Sequence, residues 1–150
     1  MDNRTEKLIL DKCRQFEERS GLTLQFPPLC LQDMEGRLLE YEPGESLTAD
    51  FPVLPRYANP MGTMQGGFLA AAFDNVLGPL SYLAAGRPCT TNNLSVNYIR
   101  ACMPGDRLRI TARVISRSRR TLHLRAEAIN RAGRLAAVAL TNLAVVKNLD

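Results

Sequence analysis

The chain is 150 residues long, with 45% hydrophobic and 23% charged residues, which is ordinary for a globular protein and excludes a disordered one. This length predicts a single domain over residues 1–150 that buries a normal core without disulfide support. The formal charge of +4 is unevenly distributed, because residues 1–99 carry 8 basic and 12 acidic side chains and residues 100–150 carry 11 basic and 3 acidic ones.

Residues 1–20 predict an amphipathic N-terminal helix. Apolar side chains recur close to helical spacing among Glu, Lys and Arg, and Gly21 follows as a stop signal. The segment has no long apolar core, so it predicts neither a secretory signal nor a membrane anchor, and we expect a cytoplasmic protein. The four cysteines show no C-x-x-C spacing, which indicates reduced thiols with neither a zinc site nor a disulfide framework.

Two strands are predicted next. Two consecutive prolines at 27 and 28 favour an extended loop, after which residues 37–41 and 45–53 have the composition of strands. The turn signal Glu42-Pro43-Gly44 separates them. We therefore expect a hairpin.

A long apolar segment from about Met64 to Leu83 predicts the central helix of the fold. Its alanines favour a helix, and its scarcity of polar residues requires burial on most faces. Pro79 predicts a kink or an early end near Gly78. Asp74 is anomalous in such a helix, because carboxylates are rarely buried unless they are paired or functional.

Gly66 and Gly67 open this helix and leave its first N–H groups bare. Together with the helix dipole, these groups attract a carbonyl oxygen that is gaining negative charge. Asn59 lies on the loop before them, where its amide either orients a ligand or caps the turn. The alternative is an ordinary buried helix, with Asp74 at a cap or a subunit interface and the glycines present for close packing.

Four strands complete the chain. Alternating apolar and polar residues predict them near residues 93–98, 107–114, 121–129 and 134–146, with turns at 104–106 and 130–133. The order of elements predicts an α+β fold in which one antiparallel sheet curls around the long helix. Such a domain leaves the sheet and one side of the helix uncovered, so we expect at least a dimer.

A motif around the central helix resembles that of the hotdog-fold acyl-CoA thioesterases of the phenylacetate-pathway (PaaI-like) type, roughly N-x-x-G-x-x-H-G-G followed by a helical Asp. Its residues are Asn59, Gly62, Gly66, Gly67 and Asp74. The resemblance covers about residues 54–146. It implies a hotdog fold, a homodimer or homotetramer with shared active sites, a coenzyme A thioester as the substrate, and no cofactor or metal. Gln65 stands where the family usually has His.

The resemblance also implies roles for individual residues. Asp74 would act as nucleophile or general base, an amide of Gly66 or Gly67 would polarise the carbonyl, and Thr91 would hold the lytic water. Roughly 12 Å of helical rise separates Asp74 from the glycines, so each site is expected to combine two subunits. Gln65 donates a hydrogen bond but exchanges no proton near pH 7, which favours hydrolysis by Asp74 over the His-dependent dehydratase chemistry of the same fold.

The basic C-terminal third fits the phosphates of coenzyme A, because 16 of the 19 basic residues are Arg. Arg117, Arg119 and Arg120, on a turn between strands, are the first candidates, and a solvated hairpin tip is the alternative. The only histidine, His123, is expected on a strand surface.

The acyl group is expected to contact Phe68, Tyr82 and Tyr98, although core packing explains these residues equally well. A non-catalytic acyl-CoA-binding or lipid-binding hotdog protein is the alternative function. Nucleic-acid binding is disfavoured, because no aromatic residues are interleaved with the arginines to stack on bases.

Overall fold

The structure, a computed structural model, describes residues 4–147, so the outermost residues of the predicted domain lie outside it. Helix α1 (Arg4–Ser20) confirms the predicted amphipathic helix. It ends at Gly21, whose φ is 71° and whose N–H donates to the Glu17 carbonyl at 2.8 Å.

A short helix α2 (Leu29–Asp33) occupies part of the region predicted to be an extended loop. Pro28 is extended, with ψ at 148°, and forms the N-cap. Proline restricts its own φ and the residue before it but leaves the residues after it free to turn, which is why the prediction of a loop was wrong here.

Six strands form one antiparallel sheet in the order β1-β2-β4-β5-β6-β3. They are β1 (Arg37–Glu42), β2 (Ser46–Pro52), β3 (Cys89–Tyr98), β4 (Arg107–Arg117), β5 (Thr121–Asn130) and β6 (Leu135–Val145). The predicted hairpin and all four C-terminal strands are confirmed. A single turn of 3-10 helix (Pro55–Tyr57) leads towards the long helix.

Helix α3 (Gly66–Ala85) packs one face on this sheet and forms the core with it. The buried residues of this face are Leu69, Ala72, Phe73, Val76, Leu77, Leu80 and Ala84. The sheet curved around one long helix is the hotdog arrangement, so the predicted fold class is confirmed. Helix α3 is long and apolar enough to span a membrane, but the buried core helices of globular proteins meet the same criterion.

Two sequence predictions about α3 differ from the structure. Burial on most faces was predicted, yet Asp74 is exposed and its neighbours Ala71 and Gly78 are only half-buried, because the sheet covers only one side of the helix. Of the predicted kink or early end near Gly78, the early end is wrong, because the helix continues past Pro79. Gly78 has no Cβ to collide with the Pro79 ring, and its carbonyl accepts a hydrogen bond from the Ser81 hydroxyl at 2.6 Å.

Strand β3 lies at one edge of the sheet, and most of its side chains are exposed. A register shift against β6 falls between Thr91 and Asn93. Such bulges re-aim side chains, and this one lies beside the exposed face of α3. The edge of the sheet and that helix face therefore meet where the predicted site residues are.

Candidate active site

Asp74 and Thr91 come together in the folded chain. Asp74 is exposed on α3, and the Thr91 hydroxyl donates a hydrogen bond to its Oδ1 at 3.0 Å. Thr91 pairs with buried Leu143 and so lies on the helix side of the sheet, whereas Thr90 pairs with Ala144 on the other side. The sheet thus brings Thr91, and not Thr90, to the carboxylate.

The start of α3 presents unused backbone donors. Gln65 is the N-cap, and its Oε1 accepts a hydrogen bond from the Phe68 N–H at 3.3 Å. The N–H groups of Gly66 and Gly67 donate to no atom within residues 4–147. These amides and the positive end of the helix dipole form a receptor for an oxyanion.

Both glycines are also required by packing. A Cβ on Gly67 would lie 2.8 Å from Gln65 Oε1, and one on Gly66 would lie 3.0 Å from Tyr98 Cζ. The Tyr98 hydroxyl donates to the Gly66 carbonyl at 2.6 Å. Close packing and bare amides therefore coexist at this helix start.

Asn59 uses its side chain within its own turn. Its Oδ1 accepts from the N–H groups of Met61 and Thr63 at 3.0 and 3.1 Å, and its Nδ2 donates to Thr63 Oγ1 at 2.9 Å. Gly62, with φ at 82°, closes the turn. These contacts match the turn-capping interpretation and fix the loop that leads into Gln65.

The three aromatic candidates for the acyl pocket lie in two places. Phe68 stacks on Tyr57 with ring centroids 4.1 Å apart, and Tyr98 contacts the helix start. Tyr82 lies nearer the other end of α3, where it lines a cavity that Asp74 also lines. Burial is the main cause that raises the pKa of Tyr82, followed by the thiols of Cys89 and Cys13.

The candidate arginines also have different surroundings. The Arg117 guanidinium donates to the Ala84 carbonyl at 2.6 Å and so holds the last turn of α3. Arg119 and Arg120 are exposed at the hairpin tip, and their side chains make no hydrogen bond or ion pair within the described part of the chain. His123 is exposed on β5, as expected.

A cavity of about 630 Å³ extends from this site along α3. Helix α1 and residues within 23–28 form its other wall, and Cys13 and Cys89 contribute thiols whose pKa values burial raises. No pattern in the sequence singled out these residues, because the apolar face of α1 is typical of any packed helix. Only the packing of α1 near α3 reveals them.

Comparisons with known proteins match this chain to thioesterases. Residues 61–137 match the sequence profile of the thioesterase superfamily. A putative thioesterase, a phenylacetic acid degradation-related protein from Ralstonia eutropha, is 28% identical, with 87% of this chain and 98% of that one covered and a TM-score of 0.73. A search of the curated proteins finds no match.

Two more distant solved structures share the fold. PaaI from the Escherichia coli phenylacetic acid degradation operon is 15% identical, with 92% of this chain and 96% of that one covered and a TM-score of 0.78. The protein smu.793 from Streptococcus mutans, bound to acetyl CoA, is 22% identical, with 75% and 90% covered and a TM-score of 0.71.

Proposed function

The chain belongs to the thioesterase superfamily, and from that premise we propose that it hydrolyses acyl-coenzyme A thioesters with Asp74 as the catalytic carboxylate. The predicted resemblance to the PaaI-like hotdog thioesterases is confirmed, and the chain is a thioester hydrolase. The acetyl CoA bound to the Streptococcus mutans protein supports a coenzyme A substrate. The observation that carries the residue assignment is the exposed Asp74 carboxylate held by the Thr91 hydroxyl.

Asp74 serves as general base or nucleophile. As general base, it takes a proton from the water whose oxygen attacks the carbonyl carbon. Thr91 commits its hydroxyl proton to Asp74 Oδ1, which leaves the hydroxyl oxygen free to accept a hydrogen bond from that water. As nucleophile, the carboxylate forms an anhydride that water then hydrolyses. In the first route the C–S bond breaks and the proton taken by Asp74 passes to the departing thiolate. In the second route coenzyme A leaves as the thiolate when the anhydride forms, and solvent protonates it.

The amides of Gly66 and Gly67 polarise the carbonyl of the thioester. They are unpaired within residues 4–147, and oxyanion donors of this kind are worth about 100-fold to 1000-fold in kcat. Gln65 is exposed, and its Nε2 adds a third possible donor next to them. The replacement of His by Gln therefore keeps hydrogen bonding at this position and removes proton transfer.

Each site combines two subunits. Eight residues of helix separate Gly66 from Asp74, which is roughly 12 Å of rise, so one chain cannot bring both groups to one carbonyl. The exposed edge strand β3 carries Thr91 and offers the surface for a partner. Large exposed apolar side chains lie in segments near the helix start, as expected for an interface. They are Met61, Phe68, Tyr98, Ile99 and Met103.

Arg119 and Arg120 are the proposed contacts for the coenzyme A phosphates. Their guanidinium groups are unpaired, in contrast to that of Arg117, which is used within the fold. Guanidinium groups bind phosphate through two parallel hydrogen bonds. Phosphate contacts at this exposed hairpin tip leave the acyl arm to reach the site between subunits.

The test is release of free coenzyme A thiol from a panel of acyl-CoAs by the wild-type protein and by Asp74→Ala. We expect turnover by the wild type and its loss in the variant. Binding without turnover would favour the non-catalytic acyl-CoA-binding alternative. Unchanged turnover by Asp74→Ala would remove this carboxylate from the mechanism.

A further inference from the structure

The cavity beside α3 continues from the proposed catalytic pair. Asp74 and Thr91 line it together with α3 residues as far as Gly86, which lies roughly 18 Å along the helix from Asp74. Its volume of about 630 Å³ falls within the range of small-molecule binding sites. A thioester with its carbonyl at Asp74 would therefore find open space directly behind the carbonyl.

The lining of this cavity is mainly apolar or uncharged. Phe16, Phe26 and Tyr82 are three of the nine Phe and Tyr residues of the chain, and they contribute flat aromatic surface. The thiols of Cys13 and Cys89 are kept protonated by burial. Among the described residues that line the cavity, Asp74 has the only carboxylate, and the cations are Lys12, Arg19 and Arg87.

We propose that this cavity is the acyl-binding site and that it selects an uncharged acyl group much larger than acetyl. This inference rests on the proposed function and adds the substrate class to it. The aromatic and aliphatic side chains of the lining suit the acyl group. An acetyl group leaves most of the volume empty, so it is the poorer substrate.

The N-terminal helix acquires a role from this assignment. Ile9, Cys13 and Phe16 recur at helical spacing on the face of α1 that lines the cavity. This helix lies outside residues 61–137, which match the superfamily profile. Part of the acyl selectivity is therefore built by a segment outside the matched residues.

The size of the preference for octanoyl-CoA over acetyl-CoA follows from the number of methylene groups that the cavity buries. Each methylene moved from water into an apolar site tightens binding about four-fold. Six methylenes separate an octanoyl from an acetyl group. We expect kcat/KM for octanoyl-CoA to exceed that for acetyl-CoA by at least about 100-fold, which allows for incomplete burial.

The first test measures occupancy without catalysis. The chain has no Trp, so Phe16→Trp introduces a unique fluorophore into the cavity wall. Glu18→Trp places the same fluorophore on an exposed position of α1 that does not line the cavity. The ligands are the non-hydrolysable octyl and ethyl thioethers of coenzyme A.

We expect the octyl thioether to change the fluorescence of Phe16→Trp and to bind at least about 30-fold more tightly than the ethyl thioether. The fluorescence of Glu18→Trp should not change. Equal affinities for the two thioethers, or equal responses of the two variants, would overturn the assignment of the cavity. This experiment decides the inference even if the protein hydrolyses no thioester.

The second test measures selectivity. Cys13→Phe fills the cavity, and Arg14→Phe adds the same ring at an exposed neighbour that does not line it. The ratio of kcat/KM for octanoyl-CoA over acetyl-CoA should fall at least ten-fold in Cys13→Phe and stay at the wild-type value in Arg14→Phe. Cys13→Leu gives a smaller filling residue if the Phe variant fails to fold.

The outcomes separate the two proposals. If the wild type releases no thiol from any acyl-CoA, the proposed function is wrong. If it releases thiol with similar kcat/KM for acetyl-CoA and octanoyl-CoA, only the acyl-site inference is wrong. If Cys13→Phe and Arg14→Phe change the ratio of kcat/KM for octanoyl-CoA over acetyl-CoA equally, the cavity is not the origin of the selectivity.

Discussion

The chemistry that we propose depends, at the residue scale, on one hydrogen bond between two elements. Thr91 donates to Asp74 Oδ1, and Asp74 is exposed on α3. An exposed carboxylate is available to water and to a substrate, whereas a buried one would need a partner to offset its desolvation. The exposed position of Asp74 therefore supports the catalytic role that we propose for it.

The first prediction concerns this pair. Asp74→Asn keeps the size and a hydrogen-bond acceptor but removes the base, so kcat should fall about 100-fold to 10,000-fold with little change in KM. Thr91→Ala should lower kcat less, and Thr91→Ser should restore most of the loss. Thr90→Ala is the matched control, because Thr90 lies on the other side of the sheet. Steady-state thiol release measures all four, and equal effects at 90 and 91 would contradict the assignment.

The second prediction isolates a backbone donor at Gly66. Proline is tolerated at the first helical position, and Gln65 is already extended, with ψ at 134°, as a residue before proline must be. Gly66→Pro removes the N–H, whereas Gly66→Ala adds a Cβ near Tyr98 but retains it.

Because the Ala variant controls for crowding, the difference between the two variants measures the amide. We expect kcat of Gly66→Pro to lie about 100-fold to 1000-fold below that of Gly66→Ala. Equal rates would leave polarisation of the carbonyl to Gly67 and Gln65.

At the scale of the element, α3 depends on contacts at both ends. Gln65 caps its start and Gly86, with φ at 66°, ends it. Arg117 crosses from β4 to donate to the Ala84 carbonyl, which satisfies one of the acceptors that a helix end leaves open. Helix α3 is thereby held between its cap and the sheet.

The third prediction separates two roles among the hairpin arginines. Arg117→Ala should lower the free energy of unfolding by about 0.5–1.5 kcal/mol through loss of this hydrogen bond. Arg119→Ala and Arg120→Ala should leave stability unchanged and raise KM for acyl-CoA, most strongly at low salt. Urea unfolding and steady-state kinetics give the two readouts. If Arg119→Ala and Arg120→Ala leave KM unchanged, these residues do not contact the phosphates.

At the scale of the whole molecule, the active site that we propose needs two protomers. The sheet ends at the exposed strand β3, and the bare amides lie about 12 Å along α3 from the carboxylate. In a closed two-fold dimer each protomer presents the same surface to its partner, so the amides of each protomer would meet the carboxylate of the other. Light scattering should therefore give a dimer or a tetramer.

The fourth prediction tests the shared site by complementation. Asp74→Asn and Gly66→Pro chains, co-expressed with different tags and purified as a mixed dimer, form one site that carries both changes and one intact site. We expect roughly half of the wild-type activity per dimer, although each parent variant is nearly inactive. A mixed dimer no more active than its parents would show that each site lies within one chain.

The fifth prediction concerns stability at alkaline pH. Burial raises the pKa values of Cys13, Cys89 and Cys102, so these thiols stay protonated in the folded state at a pH where the unfolded chain loses the protons. The folded state then binds more protons, and the free energy of unfolding falls as pH rises above about 9. Tyr82 adds to this loss above about pH 10.

Urea unfolding at pH 8, 9 and 10 measures this slope. The double variant Cys13→Ala/Cys89→Ala should show a shallower decline than the wild type, whereas Cys30→Ser, at an exposed thiol, should follow the wild type. A slope that the double variant leaves unchanged would contradict this account.

Local patterns in the sequence were sufficient for the elements and for the motif on them. Alternation predicted the C-terminal strands, alanines predicted α3, and the positions of Gly66, Gly67 and Asp74 indicated an amide cluster and a carboxylate on one helix. These predictions succeed because periodicity and turn residues act within a few positions along the chain. The order of these elements predicted the α+β fold class, whereas the family came from the resemblance of the motif around α3.

The contacts that complete the site were decided only by tertiary structure. The pairing of β3 with β6 brings Thr91 to Asp74. Arg117, at the end of β4, donates to the Ala84 carbonyl in the last turn of α3. The packing of α1 near α3 opens the cavity that Cys13 lines. Each of these joins residues far apart in the chain, and its free energy depends on strand order and on which helix face the sheet covers, neither of which a local pattern specifies.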